Sequence, residues 1–160
     1  VVCIRQPARR PSPIRPETTV RQVDADNEPW SYGPETEQIF RKFIAIREKM
    51  RPYTRELFES AHTDGQPLVR GLFYEFPQDE SVSDIADEYM FGPDILVAPV
   101  VEAGARSREV TLPGNASITW TDLRTGKVYG GGQKITVDAG IDTIPAFARD
   151  GHDHGLIGML

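Results

Sequence analysis

Cysteine is almost absent from this 160-residue chain. The one present, Cys3, has no partner within the chain, so an internal disulfide is excluded and the redox compartment stays open. No apolar run approaches the ~20 residues needed to cross a bilayer, so no membrane partner is expected. No signal-peptide pattern opens the chain, and Val1 in place of methionine points to a processed or truncated product. Positive charge is also short. Lysine and arginine number 18 against 24 acidic residues, a formal net charge of −6. Nucleic acid calls for a basic face, so no nucleic-acid partner is expected either.

What is present is ordinary for a globular protein: 39% apolar and 26% charged residues, with enough length to bury a core. The composition changes along the chain. Residues 1–33 carry prolines at 7, 11, 13, 16 and 29 and arginines at 5, 9, 10, 15 and 21. Proline removes backbone donors and arginine resists burial, so this segment reads as extended surface chain. A basic arm of this kind could bind nucleic acid or acidic membrane, but no aromatic residues are interleaved with the arginines.

Residues 34–61 read as helix. Pro34 suits a first turn, and Glu35 and Glu37 complement the positive end of the helix dipole. Ile39, Phe43, Ile46, Met50, Tyr53 and Leu57 recur at steps of four and three, with Phe40, Ile44 and Phe58 widening that face. Such a stripe is core-facing before it is a cofactor box. Pro52 should kink or divide the helix near Met50 and Arg51. His62 stands near the helix end, where an imidazolium would favour the dipole.

"PLVRGLFYEF", residues 67–76, is apolar on both faces and reads as a strand between layers, the usual condition of parallel strands. Arg70 and Glu75 interrupt it, either projecting towards a site or pairing with each other or with neighbouring charges. Ser81 or Ser83 could cap a short helix through Asp84, Ile85, Ala86, Tyr89 and Met90, ended by Gly92 and Pro93. "ILVAPVV" then reads as a buried strand. Beyond it, "REVTLP", "SITWTDL", "KVYGGGQKITV" and "DTIPAFA" are short period-two runs between turn residues, the pattern of a small antiparallel sandwich. "DEYMFGPDILVAPV", residues 87–100, would then join an α/β region to an all-β one.

Taken in order, several stretches resemble glycoside hydrolase family 31, the α-glucosidases and α-xylosidases. They are "EPWSYG" (28–33), residues 46–80 from "IREKMRPYTREL" to "FYEFPQDE", "DEYMFGPDILVAPVVEAG" (87–104), "REVTLPG", and a W-x-D-L-x-x-G of Trp120, Asp122, Leu123 and Gly126. The resemblance spans about residues 21–151. It implies a fold class of α/β plus all-β: the last β/α portion of a (β/α)8 barrel followed by a small antiparallel β-sandwich. The expected division is an irregular segment at 1–33, the barrel's end at 34–93, the sandwich at 94–150 and a tail at 151–160. The resemblance also implies retaining, exo-acting hydrolysis of α-linked oligosaccharides or glycosides, with no cofactor, by an enzyme whose missing barrel half would be this chain's partner.

Retaining glycosidases divide the chemistry between two carboxylates about 5–5.5 Å apart. The family's nucleophile lies in a W-x-D-x-N-E type motif and its acid/base aspartate on another earlier strand, and neither motif occurs here. Asp24, Asp26, Asp79, Asp84, Asp87 and Asp94 match no catalytic position of the family, so no catalytic residue is assigned. The family's sugar-binding R-x-H-G stretch finds only "RQVD", residues 21–24. Val23 stands at the histidine position and cannot hydrogen-bond a sugar. No substrate-binding residue is assigned, and none for metal. His152, Asp153 and His154 make a poor metal site without further ligands, and "HDHGLIGML" reads better as a solvated tail. Trp30, Tyr32, Trp120 and Tyr129 could stack on sugar rings, although a sandwich commonly buries its tryptophan. The competing reading is a non-catalytic carbohydrate-binding or structural β-module.

Overall fold

The computed structural model describes residues 29–160. Cys3, the proline- and arginine-bearing stretch of 1–28, the "RQVD" of 21–24 and the side chain of Trp30 lie outside that description. The chain divides into two compact units, one ending at Phe43 and one beginning at Ile44. The first holds a 3-10 turn, Pro29–Tyr32, and the start of helix α1, Pro34–Lys49. Glu37 and Arg41 pair there at 2.7 Å, one helical turn apart.

Pro52 divides the helix as its missing N–H requires. Helix α1 ends at Lys49 and α2 spans Arg51–Asp64, with the proline in the first turn of α2. Ile46, Tyr53 and Leu57 are buried, so the periodic stripe does face a core. Its expected widening is only partial, because Ile44 and Phe58 stay exposed.

Two expected elements are corrected. Of "PLVRGLFYEF", only Val69–Arg70 is strand (β1), and Leu72–Glu75 forms a single helical turn, α3. Leu72 and Phe76 are buried while Phe73 and Tyr74 are exposed. A spacing of four puts residues on one side of a helical turn as well as on one face of a strand, so the pattern served both. β1 pairs antiparallel with β2, not in a parallel sheet. The expected helix through Met90 is also absent. Asp79, rather than Ser81 or Ser83, caps a 3-10 turn over Glu80–Val82, and Tyr89–Phe91 is strand β2.

β2 forms a hairpin with β3, Ile95–Val97, in the register Tyr89↔Val97, Met90↔Leu96 and Phe91↔Ile95. The "GPD" of the join is therefore the tip of a hairpin, and the boundary expected at 93/94 falls within it. Strands on both sides of that boundary share one sheet. With β4 (Ser107–Leu112), β5 (Thr119–Asp122), β6 (Val128–Gly130), β7 (Gln133–Asp138) and β8 (Ala146–Arg149), a six-stranded sheet runs β1-β2-β3-β8-β5-β6 and β4 and β7 form a separate ribbon. Every strand pairing described is antiparallel. One core cluster draws Met90, Leu96, Trp120 and Phe147 from the large sheet and Val110, Leu112 and Val137 from the ribbon, with Leu72 and Phe76 from α3 and its end.

Gly92 is where the hairpin most needs glycine. Its φ is +65°, and a Cβ there would lie 2.1 Å from the Tyr53 hydroxyl and 2.6 Å from Leu57. The hydroxyl cannot easily retreat, because it donates to the Phe91 carbonyl at 2.9 Å and accepts from the Asp94 amide at 3.3 Å. Left-handed strain alone costs about 1–2 kcal/mol. Gly92→Ala is therefore expected to lower unfolding stability by more than about 2 kcal/mol, read as a shift of the urea midpoint at constant m.

The C-terminal residues are not a solvated tail. Leu156 is 1% exposed, and the Gly158 amide donates to the Leu123 carbonyl at 2.7 Å. A buried anchor and a backbone bond to the sheet domain hold the segment down.

Candidate functional site

An open groove of about 650 Å³ lies between the loop after α3 and the turn joining β4 to β5. Glu75, Gln78, Asp79, Glu80, Ser81 and Asn115 give it polar lining, and Phe76 and Ile118 apolar lining. Two of its carboxylates are already engaged. Asp79 accepts from the Ser81 amide (3.1 Å) and hydroxyl (2.6 Å) and from the Gly114 amide (2.9 Å). The Ser81 hydroxyl, then the Gly114 amide, hold its carboxyl below the usual range. This is the chemistry of a cap that ties the 3-10 turn to the β4–β5 turn, and a poor proton donor.

Glu75 pairs with Arg70, resolving the sequence alternatives in favour of pairing. Its second oxygen lies 3.9 Å from the Arg149 guanidinium, which also sits 5.1 Å over the Phe76 ring. Arg70 further donates to the Pro67 carbonyl at 2.6 Å and lies over Tyr74. Both members of the Arg70–Glu75 pair are largely withdrawn from water, with side chains 7% and 13% exposed. The cluster fastens α3 to the edge strand β1 and to β8, with one Glu75 oxygen hydrogen-bonded to Arg70 and the other facing Arg149.

A second assembly joins α2, the hairpin tip and the C-terminal segment. His154 Nε2 lies 2.9 Å from Asp94 Oδ2, and its ring stacks on Tyr53 with centroids 3.9 Å apart. Burial first, and the Asp94 carboxylate second, push the Tyr53 phenol well above its ordinary value, so it remains a neutral hydrogen-bonding group. His154, raised in the sequence as half of a weak metal pair, serves here as a latch, while His152 is exposed. Among the described residues no group of three or more histidine, cysteine, aspartate or glutamate side chains could hold a metal ion. His62 is exposed in the last turn of α2.

The aromatic candidates separate clearly. Trp120 is fully buried, and its indole N–H donates to the Pro113 carbonyl at 3.1 Å. Tyr129 packs edge-on against Phe147 under Lys127. Tyr32 is exposed. Trp120 is thus core. Asp84 is exposed and Asp87 pairs with Arg108 at 2.6 Å; Asp24 and Asp26 lie outside the described residues.

Sequence reasoning missed Glu88 and Arg149. Glu88 is 6% exposed and accepts from the Thr111 amide at 2.9 Å, and burial pushes its carboxyl up to about 7. Nothing in "SDIADEYM" marks this glutamate as the inward one among its acidic neighbours.

The pattern described as "Glycosyl hydrolase family 31 C-terminal domain" matches residues 65–152. Alpha-glucosidase 2 of Bacillus thermoamyloliquefaciens is 37% identical over 78% of this chain and 15% of its own length. The alpha-xylosidase of Saccharolobus solfataricus is 36% identical over 82% of this chain and 18% of its own. Among solved structures, a family 31 alpha-xylosidase from a soil metagenome, complexed with xylose, is 44% identical with a TM-score of 0.77, covering 83% of this chain and 20% of that one. The chain thus spans less than a fifth of the length of these curated relatives.

Proposed function

The chain belongs to glycoside hydrolase family 31, and from that premise we propose that it is the C-terminal part of a retaining, exo-acting α-glycosidase. Its substrates would be α-glucosides or α-xylosides, activities named among its curated relatives. One observation carries this reading: residues 65–152 match the family's C-terminal domain, while the chain spans only a small share of each relative. We assign the helices α1 and α2 to the end of the catalytic barrel within 34–93. β1 and β2 serve the sheet domain that continues through 94–150. No catalytic role falls to this chain's own carboxylates, and the nucleophile and acid/base belong to the preceding barrel, the chain's partner in catalysis.

The alternative of a carbohydrate-binding module gains little support. Trp120, one of its proposed sugar platforms, is fully buried, and Tyr129, another, is half-buried against Phe147.

The reading is tested on the longer polypeptide encoded around this segment. It is expected to hydrolyse an aryl α-glucoside or an aryl α-xyloside and to release the α-anomer first, followed by proton NMR of the fresh product. First release of the β-anomer, or inactivity on both, would remove the proposed activity.

A further inference from the structure

Among the described residues, two buried side-chain atoms have no hydrogen-bond partner, Glu88 Oε2 and Arg108 Nε. They belong to side chains that meet where two separately paired parts of the β-domain join. Glu88 directly precedes β2 of the six-stranded sheet, and Arg108 lies on β4 of the ribbon. The Glu88 side chain is 3% exposed, and its Oε1 accepts from the Thr111 amide of β4 at 2.9 Å.

The cation nearest Glu88 is committed elsewhere. Arg108 Nη2 lies 2.6 Å from Asp87 Oδ2 and donates to the Asp87 carbonyl at 3.4 Å, but stands 3.8 Å from Glu88. The charged groups acting on Glu88 are therefore Asp87 from its own loop, Arg108 from β4 and Lys134 from β7. Lys134 is itself paired with Glu109 at 3.3 Å. A carboxylate held this way is buried, half-satisfied and incompletely neutralised, and burying such a charge is costly.

We propose that Glu88 is a pH-operated fastener between the two sheets: protonated, it holds the β4–β7 ribbon against the large sheet, and ionised, it weakens that seam. Its carboxyl, raised by burial from 4.5 to about 7, titrates in a range where the exposed carboxylates are already charged. The native state holds the proton more tightly than the opened state. The stability Glu88 confers is accordingly complete below about 4.5, falls as the pH rises, and is gone above about 7.

The test is amide hydrogen exchange on the full chain, with opening constants corrected for intrinsic rates, for the wild type and Glu88→Gln. The glutamine keeps an acceptor for the Thr111 amide but cannot ionise. In the wild type the opening constant of the β4–β7 amides should rise by up to about tenfold per pH unit between about 4.5 and 7, then level off. In Glu88→Gln that rise should vanish. A flat wild-type profile, or an unchanged rise in the variant, would overturn the proposal. Should the variant fail to fold, the carboxyl carbon-13 titration of Glu88 in the wild type decides. A midpoint near 7 supports the fastener, and one near 4.5 eliminates it.

Discussion

Purified alone, the 160-residue chain is expected to leave aryl α-glucosides and aryl α-xylosides at their buffer rate of hydrolysis, at every pH from acid to neutral. Retaining hydrolysis needs one carboxylate free to attack and a second free to give and take a proton, about 5–5.5 Å away. Of the three carboxylates of the groove, Glu75, Asp79 and Glu80, two do not offer that freedom, which leaves no pair. Asp79 is spent on three hydrogen bonds, and Glu75 is held between Arg70 and Arg149. Since enzymes of this kind accelerate by at least about a millionfold, the difference between this chain and an active longer protein would be unmistakable. Asp79→Asn and Glu75→Gln make the result decisive. Turnover above buffer that either change abolished would place a catalytic pair on this chain and defeat its assignment as a C-terminal part.

How far the sequence disclosed this arrangement depended on where each element finds its partners. Helices α1 and α2 and their division were legible because periodicity and Pro52 act within a few residues of themselves. The strands after residue 94 were legible because turn residues separate short alternating runs. Residues 84–91 were misread because their helix-friendly composition is overruled from outside: Met90 is a strand residue because it pairs with Leu96. Leu72 and Phe76, four apart, fit a strand and a helical turn equally well. The C-terminal segment looked solvated because one leucine, Leu156, supplies its buried anchor, and the latch between His154, Asp94 and Tyr53 draws on residues 41 and more positions apart in the chain. The family was legible from ordered short stretches. The polar clusters were not, since neither the inward turn of Glu88 nor the approach of Arg149 to Glu75 has a local signal.

The largest loss of stability from a single polar change is expected at Glu75. Removing one partner of a buried ion pair leaves the other charge out of water and unmatched, at a cost of about 3–5 kcal/mol. Glu75→Ala would strand Arg70, whose side chain is 7% exposed and whose remaining hydrogen bond goes to the Pro67 carbonyl. It would also release Arg149 from its second carboxylate, leaving that guanidinium to Asp150 at 3.5 Å and to the Phe76 ring. Glu37→Ala supplies the comparison. Its pair with Arg41 is exposed, and such pairs contribute about 0–1 kcal/mol. Urea unfolding should therefore separate the two variants by several kcal/mol, with Glu75→Gln between them because an amide still accepts a hydrogen bond. The double change Arg70→Met with Glu75→Leu should recover much of the loss, since it removes both charges and keeps the volume. If Glu75→Ala costs no more than Glu37→Ala, the cluster does not fasten β1 and α3 to β8, and Glu75 would be free for a role in the groove after all.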